Sequence, residues 1–582
     1  MNTAEYLVKR LEELGINDYF GVPGDYNFEI LYAIENNPNT NWIGCTNELN
    51  AGYAADGYAR QKGYGAIVTT FGVGELSAIN AIAGSCSENI PVINIVGIPT
   101  TKHINNNALL HHNLRNVDYK AYENAYKNVV ETTAFLNRDN AKIEIDRVLK
   151  IFAKEKCPVY IAIPMDIAKL EISDKDSDLN WYSDSEILEK VITKINEKIR
   201  ASVRPVILGD SLVKRYDARV EFKEFVDKSG IPTTNFIMGN NLVNKDCKNY
   251  LGTYYGKYRN PLAKKWLETT DCLIAVGPIY SDLNSFGFQL PYKIDSQIAI
   301  YGTYTYIENV RYDNIKMTDV LEGLSKVVDT HNFDIEKEEL GYEKSAITEG
   351  KLTSEYIYPR LQEFFKENDI VIAETGIIPH GIYEAQMPNN VEIHTQTLWG
   401  SIGWATPAAL GANVANPNSR VILLTGEGAH QISAMEIGNI LRLELKPIII
   451  VINNGGYTIE RLLSDSPDDK FNDIMQMNYS KFARVFEGDI WSTKVETADD
   501  FDKALKVTQI MNKLCYIEVC VDKMDIPALT KEVIADIKTA EMPVVNQKEE
   551  QLKKDKQKFK LPNIKDMNFG TTVHESLKRE EE

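Results

Sequence analysis

At 582 residues with 43% hydrophobic content, the chain is too long for one ordinary core and has the composition of a globular protein with several domains. A net charge of −19 argues against nucleic acid as a partner, because phosphates demand a basic footprint. The longest apolar runs, such as Pro447–Ile452, fall far short of the roughly 18 residues that span a bilayer, so they are expected to be buried strands and no membrane span is expected.

The first residues place Tyr6, Leu7, Leu11 and Leu14 between charges, which predicts an amphipathic helix and not a signal-peptide core, so a cytoplasmic location is expected. To about Asn180, helix-like stretches then alternate with the short strands Ala66–Thr70, Val92–Val96 and Val159–Ile163, the pattern of a parallel sheet wrapped by helices. A second domain begins near Ser183 and carries Pro205–Gly209 and Cys272–Gly277, apolar strands ending in glycine. It stops before the polar stretch Asn332–Gly350. A third, from Leu352, carries Ile370–Glu374, Arg420–Thr425 and Pro447–Ile452. The expected organisation is therefore α/β, with three doubly wound parallel-sheet domains at 1–182, 183–335 and 352–540. Residues 541–582 are charged and poorly periodic, and are expected to form a mobile tail. Seven cysteines without C-x-x-C spacing suggest neither a disulfide framework nor a zinc site; they are expected to be reduced and mostly buried.

The segment LLTGEGAHQ, Leu423–Gln431, sets Glu427 between two glycines directly after a strand. In a βαβ unit the loop at a strand's C-terminal end faces the ligand crevice, and glycines let backbone amides approach an anion. A carboxylate there repels phosphate unless a divalent cation lies between them. Magnesium takes oxygen ligands, and Glu427, the Asn454 side chain and a carbonyl of the Gly455–Gly456 turn would form a partial octahedron. In isolation the triplet reads better as a plain solvated turn, and the Asn453–Asn454 pair that follows a second strand reverses that reading. Glu48 alone reads as a surface glutamate, Asp25 as a turn aspartate beside glycine and Glu460 as a first-turn helix acid. His111 and His112 are adjacent and cannot share one helix face, so a common metal site requires a loop.

Taken together, FGVPGDYN (Phe20–Asn27), NELNAGYAADGYAR (Asn47–Arg60), TTFGVGELSAIN (Thr69–Asn80), LLHHNL (Leu109–Leu114), ETG (Glu374–Gly376), LWGSIG (Leu398–Gly403), GEG (Gly426–Gly428) followed by Asn453–Asn454, and GYTIER (Gly456–Arg461) resemble the 2-oxo acid decarboxylase family of thiamin diphosphate enzymes, which includes pyruvate decarboxylase. The resemblance runs to about residue 535. It implies pyrimidine-binding, middle and diphosphate-binding domains, with a cofactor bridging two subunits in a homodimer or a dimer of dimers. It also implies non-oxidative decarboxylation of a 2-oxo acid to an aldehyde and carbon dioxide.

By the same resemblance, Glu48 is the activating glutamate at the aminopyrimidine N1′, which promotes loss of the thiazolium C2 proton. Asp25, His111, His112 and Glu460 handle protons, Glu460 from a position where burial favours its protonated form. Gly400 is the backbone acceptor for the aminopyrimidine, Ser401 beside it is a cofactor contact, Ile402 is the wedge that bends the cofactor, and Thr375 lines the pyrimidine site. Gly426, Gly428, Ala429, Asn454 and Ile459 are cofactor contacts, and Glu427, Asn454 and Gly456 hold Mg2+. Ile459 and Leu463 suggest a small pocket suited to pyruvate, whereas Pro379, in place of a common aromatic residue, suggests branched or aromatic substrates. The family usually has Asp at 427, Ser at 429 and Asn-Asp-Gly at 454–456. Some yeast-type relatives are activated through a middle-domain cysteine, and Ile207–Asp217 has none. The altered metal loop supports one rival reading, a catalytically weak cofactor-binding regulator; a carboligase is disfavoured by the His-His pair.

Overall fold

Short, mostly apolar runs rich in β-branched residues give three sheets. The computed structural model describes residues 1–173, 177–289, 297–336, 340–343 and 350–539. The expected tail, 541–582, lies outside the described residues. The chain divides into two compact units, Met1–Lys531 and Glu532–Glu582, and of the second only the end of helix Ala528–Thr539 is described. Among the described residues no helix is long and apolar enough to cross a membrane.

In spatial order the first sheet runs Asn41–Gly44, Asp18–Gly21, Gly65–Thr70, Val92–Ile98, Val159–Pro164 and Thr132–Phe135, with every pair parallel. The third runs Glu392–His394, Ile370–Ala373, Val421–Gly426, Ile448–Asn453, Leu514–Cys520 and Ile490–Val495, again parallel throughout. Counted within each sheet, the strand order is the same. Gly65–Thr70 and Val92–Ile98 are buried along their whole length, as strands covered by helices on both faces must be.

The middle sheet departs from a purely parallel pattern. Cys272–Val276 pairs in parallel with Pro205–Gly209 and Gln297–Ile300, but Gln297–Ile300, Tyr304–Ile307 and Val310–Asp313 form an antiparallel meander at one edge. Their connections, 301–303 and 308–309, are too short for a parallel crossover. The cysteines also differ from expectation. All seven are thiols, but only Cys272 and Cys515, within or at the start of central strands, are buried and the rest are half-buried.

The first and third sheets share one continuous apolar core, centred on helices Glu48–Lys62 and Ala405–Ala415. Their sequences, ELNAGYAADGYARQK and ATPAALGANVA, are rich in alanine and glycine, so the backbones approach closely. A Cβ on Gly57 would overlap the Ala408 backbone, and one on Gly411 the Ala54 carbonyl. Ala54 thus faces Gly411, Gly57 faces Ala408, and the Arg60 guanidinium lies 4.7 Å from the Trp404 ring centroid, so the pair is antiparallel. At the Arg60 end, Nε donates to Asp56 at 2.7 Å, Nη2 to Glu88 at 2.7 Å and Nη1 to the Thr395 carbonyl at 3.1 Å. Trp404 Nε1 donates to Asp56 at 2.9 Å. This buried charge network is satisfied on both sides, which is what makes it tolerable.

Because backbone and not a mobile side chain occupies the space, Gly57→Ala and Gly411→Ala are each expected to lower the unfolding free energy by about 3 kcal/mol. Urea titration of the purified variants measures it, and midpoints equal to wild type would refute the close contact.

Candidate active site

Loops leaving the C-terminal ends of parallel strands bound the crevice of such sheets, and the sequence-predicted residues fall there in two groups. In the first sheet, Asp25 follows Asp18–Gly21, and Glu48 opens the helix after Asn41–Gly44. Asn47 caps that helix, its side chain accepting from Asn50 N at 2.8 Å. Half-buried Glu48 is in the first turn, where the helix dipole favours a carboxylate. A Cβ on Gly74 would lie 3.1 Å from Glu48 Oε1, so this glycine leaves the carboxylate room.

His111 and His112 occupy a turn, not a helix, and His112 has φ of +67°. That turn brings both rings within 4.6 Å of each other and within reach of Asp25. His111 Nε2 lies 3.0 Å from Asp25 Oδ2, while its Nδ1 lies 3.3 Å from the Tyr26 hydroxyl. Burial first, then Asp25, pushes the Tyr26 phenol up to about 12. Tyr26 therefore stays protonated beside the imidazole, which lies between the phenol and the Asp25 carboxyl. Tyr26, which also stacks on His111, was not singled out from the sequence; adjacency to Asp25 in GDYN is the only signal there.

In the third sheet, Glu374 ends a strand with its carboxylate buried. It accepts from the amides of Thr375 (3.2 Å), Gly403 (3.2 Å) and Ala405 (3.3 Å), tying ETG to LWGSIG. Burial pushes it up to about 7 despite these bonds. Gly400 has φ of +65°, and its absent Cβ would sit 3.8 Å from Thr375 Oγ1, so the two positions face each other. Ser401 is committed to its own fold: the Tyr53 hydroxyl lies 2.6 Å from its Oγ, and its amide donates to Gln396 Oε1 at 2.9 Å. Ile402 remains 38% exposed, a bare apolar side chain at the crevice.

Glu427, 1% exposed, accepts from Gly456 N at 2.7 Å and Asn454 N at 3.4 Å, so the GEG and NNGG loops are in direct contact. Burial pushes its carboxyl up, against the pull of those amides. The Asn454 side-chain oxygen is buried and has no partner. Gly426 has open space where a Cβ would stand, whereas Gly428 lies under the Tyr457 ring, so only the first glycine is kept small for an incoming group. Ala429 is buried behind it. Gly456 has φ of +146° and no room for a Cβ beside the Asn472 carbonyl. Arg461, not predicted as a site residue, holds this turn from behind through Gly455 O (3.1 Å), Asn472 O (3.3 Å) and Asp473 (2.7 Å). Two buried oxygen donors, an open glycine and a backbone turn fit a hard cation with an attached diphosphate.

Ile459 is half-buried. Glu460 is exposed, contrary to the expected burial, because it lies on the outer face of the first turn of helix Thr458–Leu463 with nothing packed over it among the described residues. Among the described residues, no hydrogen bond or ion pair joins Asp25, Glu48, His111 or His112 to Glu427, Asn454 or Glu460.

Residues 1–122 match the thiamine pyrophosphate enzyme N-terminal TPP-binding domain, 192–318 the central domain and 378–519 the C-terminal TPP-binding domain. Among curated relatives, pyruvate decarboxylase of Kluyveromyces lactis is 35% identical over 540 residues, 90% of this chain and 96% of its own. Pyruvate decarboxylase isozyme 1 of Saccharomyces cerevisiae is 34% identical over 548 residues, covering 90% and 96%. The pyruvate decarboxylase of Aspergillus fumigatus is 36% identical over 550 residues, covering 91% and 96%.

The Glu374 carboxyl titrates near 7 when folded against 4.5 as its ordinary value, so the folded state holds the extra proton between those pH values. Its contribution to stability is full below the lower value and is lost as pH rises through the upper one, by about 3 kcal/mol. Urea unfolding from pH 5 to 8 is expected to fall more steeply for wild type than for Glu374→Gln; parallel curves would refute it.

Proposed function

The chain belongs to the thiamine pyrophosphate enzymes, as a 2-oxo acid decarboxylase and hence a carboxy-lyase, and on that footing we propose that it converts pyruvate to acetaldehyde and carbon dioxide, with thiamin diphosphate anchored through Mg2+. The observation that carries the metal reading is the buried, unpartnered Asn454 oxygen beside the buried Glu427 carboxylate. With the Gly456 carbonyl they offer three oxygens to a hard cation. When bound, thiamin diphosphate supplies a carbon nucleophile and a sink for the electron pair released with carbon dioxide.

Glu48 would hold a proton at the aminopyrimidine N1′, Thr375 and the Gly400 carbonyl would orient that ring, and Ile402 would give the cofactor an apolar support. The Asp25–His111 pair, with His112 beside it, delivers a proton to the product carbon, and Glu460 works from the opposite wall. Ile459 and Leu463 stand on either side of Glu460 and restrict the 2-oxo acid to a short chain. Pro379 is buried at the start of helix Ile378–Tyr383.

The two groups of residues belong to different subunits of a homodimer, and two dimers can pair further. Within one chain, Glu48 and the Gly400–Gly403 loop lie at opposite ends of the antiparallel helix pair. Val73, Leu76, Leu109 and Leu114 near one group, and Trp399, Ile402, Met435 and Met475 near the other, are all exposed large hydrophobics. Seven free cysteines support a cytosolic setting.

Purified protein with thiamin diphosphate and magnesium is expected to release carbon dioxide from pyruvate faster than from 4-methyl-2-oxopentanoate, phenylpyruvate or indolepyruvate; no turnover of any of them would sink the proposal. Glu48→Gln should lower turnover by about 10²-fold or more while the circular dichroism spectrum is unchanged. Glu427→Asp retracts the carboxylate by about 1.5 Å, releasing it from Gly456 N and leaving it to the metal. Tighter magnesium binding is therefore expected by titration, and an unchanged requirement would refute the assignment.

A further inference from the structure

Four donors converge on Glu436, a fully buried carboxylate at the start of helix Glu436–Arg442. The Thr46 amide (2.8 Å), the Thr46 hydroxyl and Asn50 Nδ2 (3.1 Å) reach one oxygen, and Asn439 Nδ2 (2.8 Å) reaches the other. Farther along the same face, Arg442 donates to the Gly44 carbonyl at 2.9 Å and to Asn439 Oδ1 at 3.2 Å. Residues spaced three apart on one helix face thus clasp the segment from Gly44 to Asn50. Glu48 sits in the middle of that segment and makes no side-chain hydrogen bond of its own among the described residues. On its own sheet the entry into the helix is held by the Asn47 cap, by the Cys45 amide donating to the Gly21 carbonyl at 2.9 Å and by Asn50 Nδ2 donating to Thr46 Oγ1 at 3.0 Å, and Glu436 adds the hold from the third domain.

No ion pair forms at Glu436 among the described residues, so its charge is balanced only by these neutral donors. A buried carboxylate held this way fixes its donors strongly, because any displacement leaves the charge unsatisfied.

We propose that Glu436 is a positioning residue for Glu48: by clamping Thr46 and Asn50 on either side, it sets where the activating carboxylate points. The proposal rests on the reading of Glu48 given above. It adds a link across the dimer, since helix Glu427–Ser433 runs into Glu436–Arg442 with only Ala434 and Met435 between them. In the proposed dimer Glu427 serves one active site and Glu48 the other. The carboxylate that activates one site is therefore held by the frame that carries the metal loop of its neighbour.

Glu436→Gln, Thr46→Val and Thr46→Ser test this in the full chain. Amide hydrogen exchange of the cofactor-free protein, followed by mass spectrometry, should show faster exchange confined to peptides covering Gly44–Asn50 in the first two variants and not in Thr46→Ser. In holoenzyme at saturating cofactor, deuterium exchange at the thiamin C2 position should slow about tenfold to a hundredfold in the first two, with cofactor affinity unchanged and Thr46→Ser near wild type. Local loosening without slower C2 exchange would make Glu436 merely structural and overturn the proposal, as would unchanged amide exchange. Wild-type holoenzyme that fails to accelerate C2 exchange overturns the reading of Glu48 and this proposal together. Accelerated wild-type exchange that Glu436→Gln retains overturns the proposal alone.

Discussion

The close contact between helices Glu48–Lys62 and Ala405–Ala415 is the constraint on which the rest of the molecule depends. Glycine at 57 and 411 removes the only atoms that would keep the backbones apart, and the Arg60–Asp56–Glu88 network anchors one end where water is excluded. Its antiparallel sense has a functional consequence. Glu48 begins one helix, the Gly400–Gly403 loop leads into the other, and antiparallel packing sends them to opposite ends. On the function proposed above, a cofactor that uses both would be shared with a second chain, as in the proposed dimer.

Two sheets with the same strand order are put to different chemical use. After its first three strands, the first sheet offers Asp25, Glu48 and the Gly72–Gly74 turn, and a later loop adds His111 and His112. The third offers glycine turns and oxygens: Gly400, Gly426, Glu427 and Asn454. One side is suited to moving protons and the other to holding a charged, phosphorylated group. Glu374 joins neither role directly. It is spent on backbone amides that bring the ETG and LWGSIG loops together, and the burial that secures them also raises its proton affinity.

Local pattern made much of this legible. Continuous apolar runs marked the parallel strands, and the position of GEG and Asn453–Asn454 after two of them brought Glu427 and Asn454 into the same crevice. What escaped was set by tertiary context. Ser401 looks like any polar loop residue until Tyr53, far off in sequence, takes its hydroxyl. Gly428 looks like a partner to Gly426, yet it makes space for Tyr457 and not for a ligand. The edge meander of the middle sheet is encoded in two short connections, which apolar runs alone do not reveal. Glu460 was expected to be buried because its proposed role favours a protonated carboxyl; in this chain it lies exposed on the first turn of its helix.

Glutamate at 427, where the family pattern has aspartate, adds a methylene to a site of strict geometry. The loop that receives it cannot simply withdraw: Arg461 pins Gly455 and Asn472 from behind, Gly456 has no clearance beside the Asn472 carbonyl, and Tyr457 lies on Gly428. The longer side chain is instead absorbed by reaching past the crevice to the Gly456 amide. The Gly456 amide takes one lone pair of Oε1 and leaves Oε2 with only the long contact to the Asn454 amide, while the Asn454 side-chain oxygen has no partner among the described residues. On the proposed metal reading, the asparagine oxygen and the second carboxylate oxygen are therefore the ones turned to a cation.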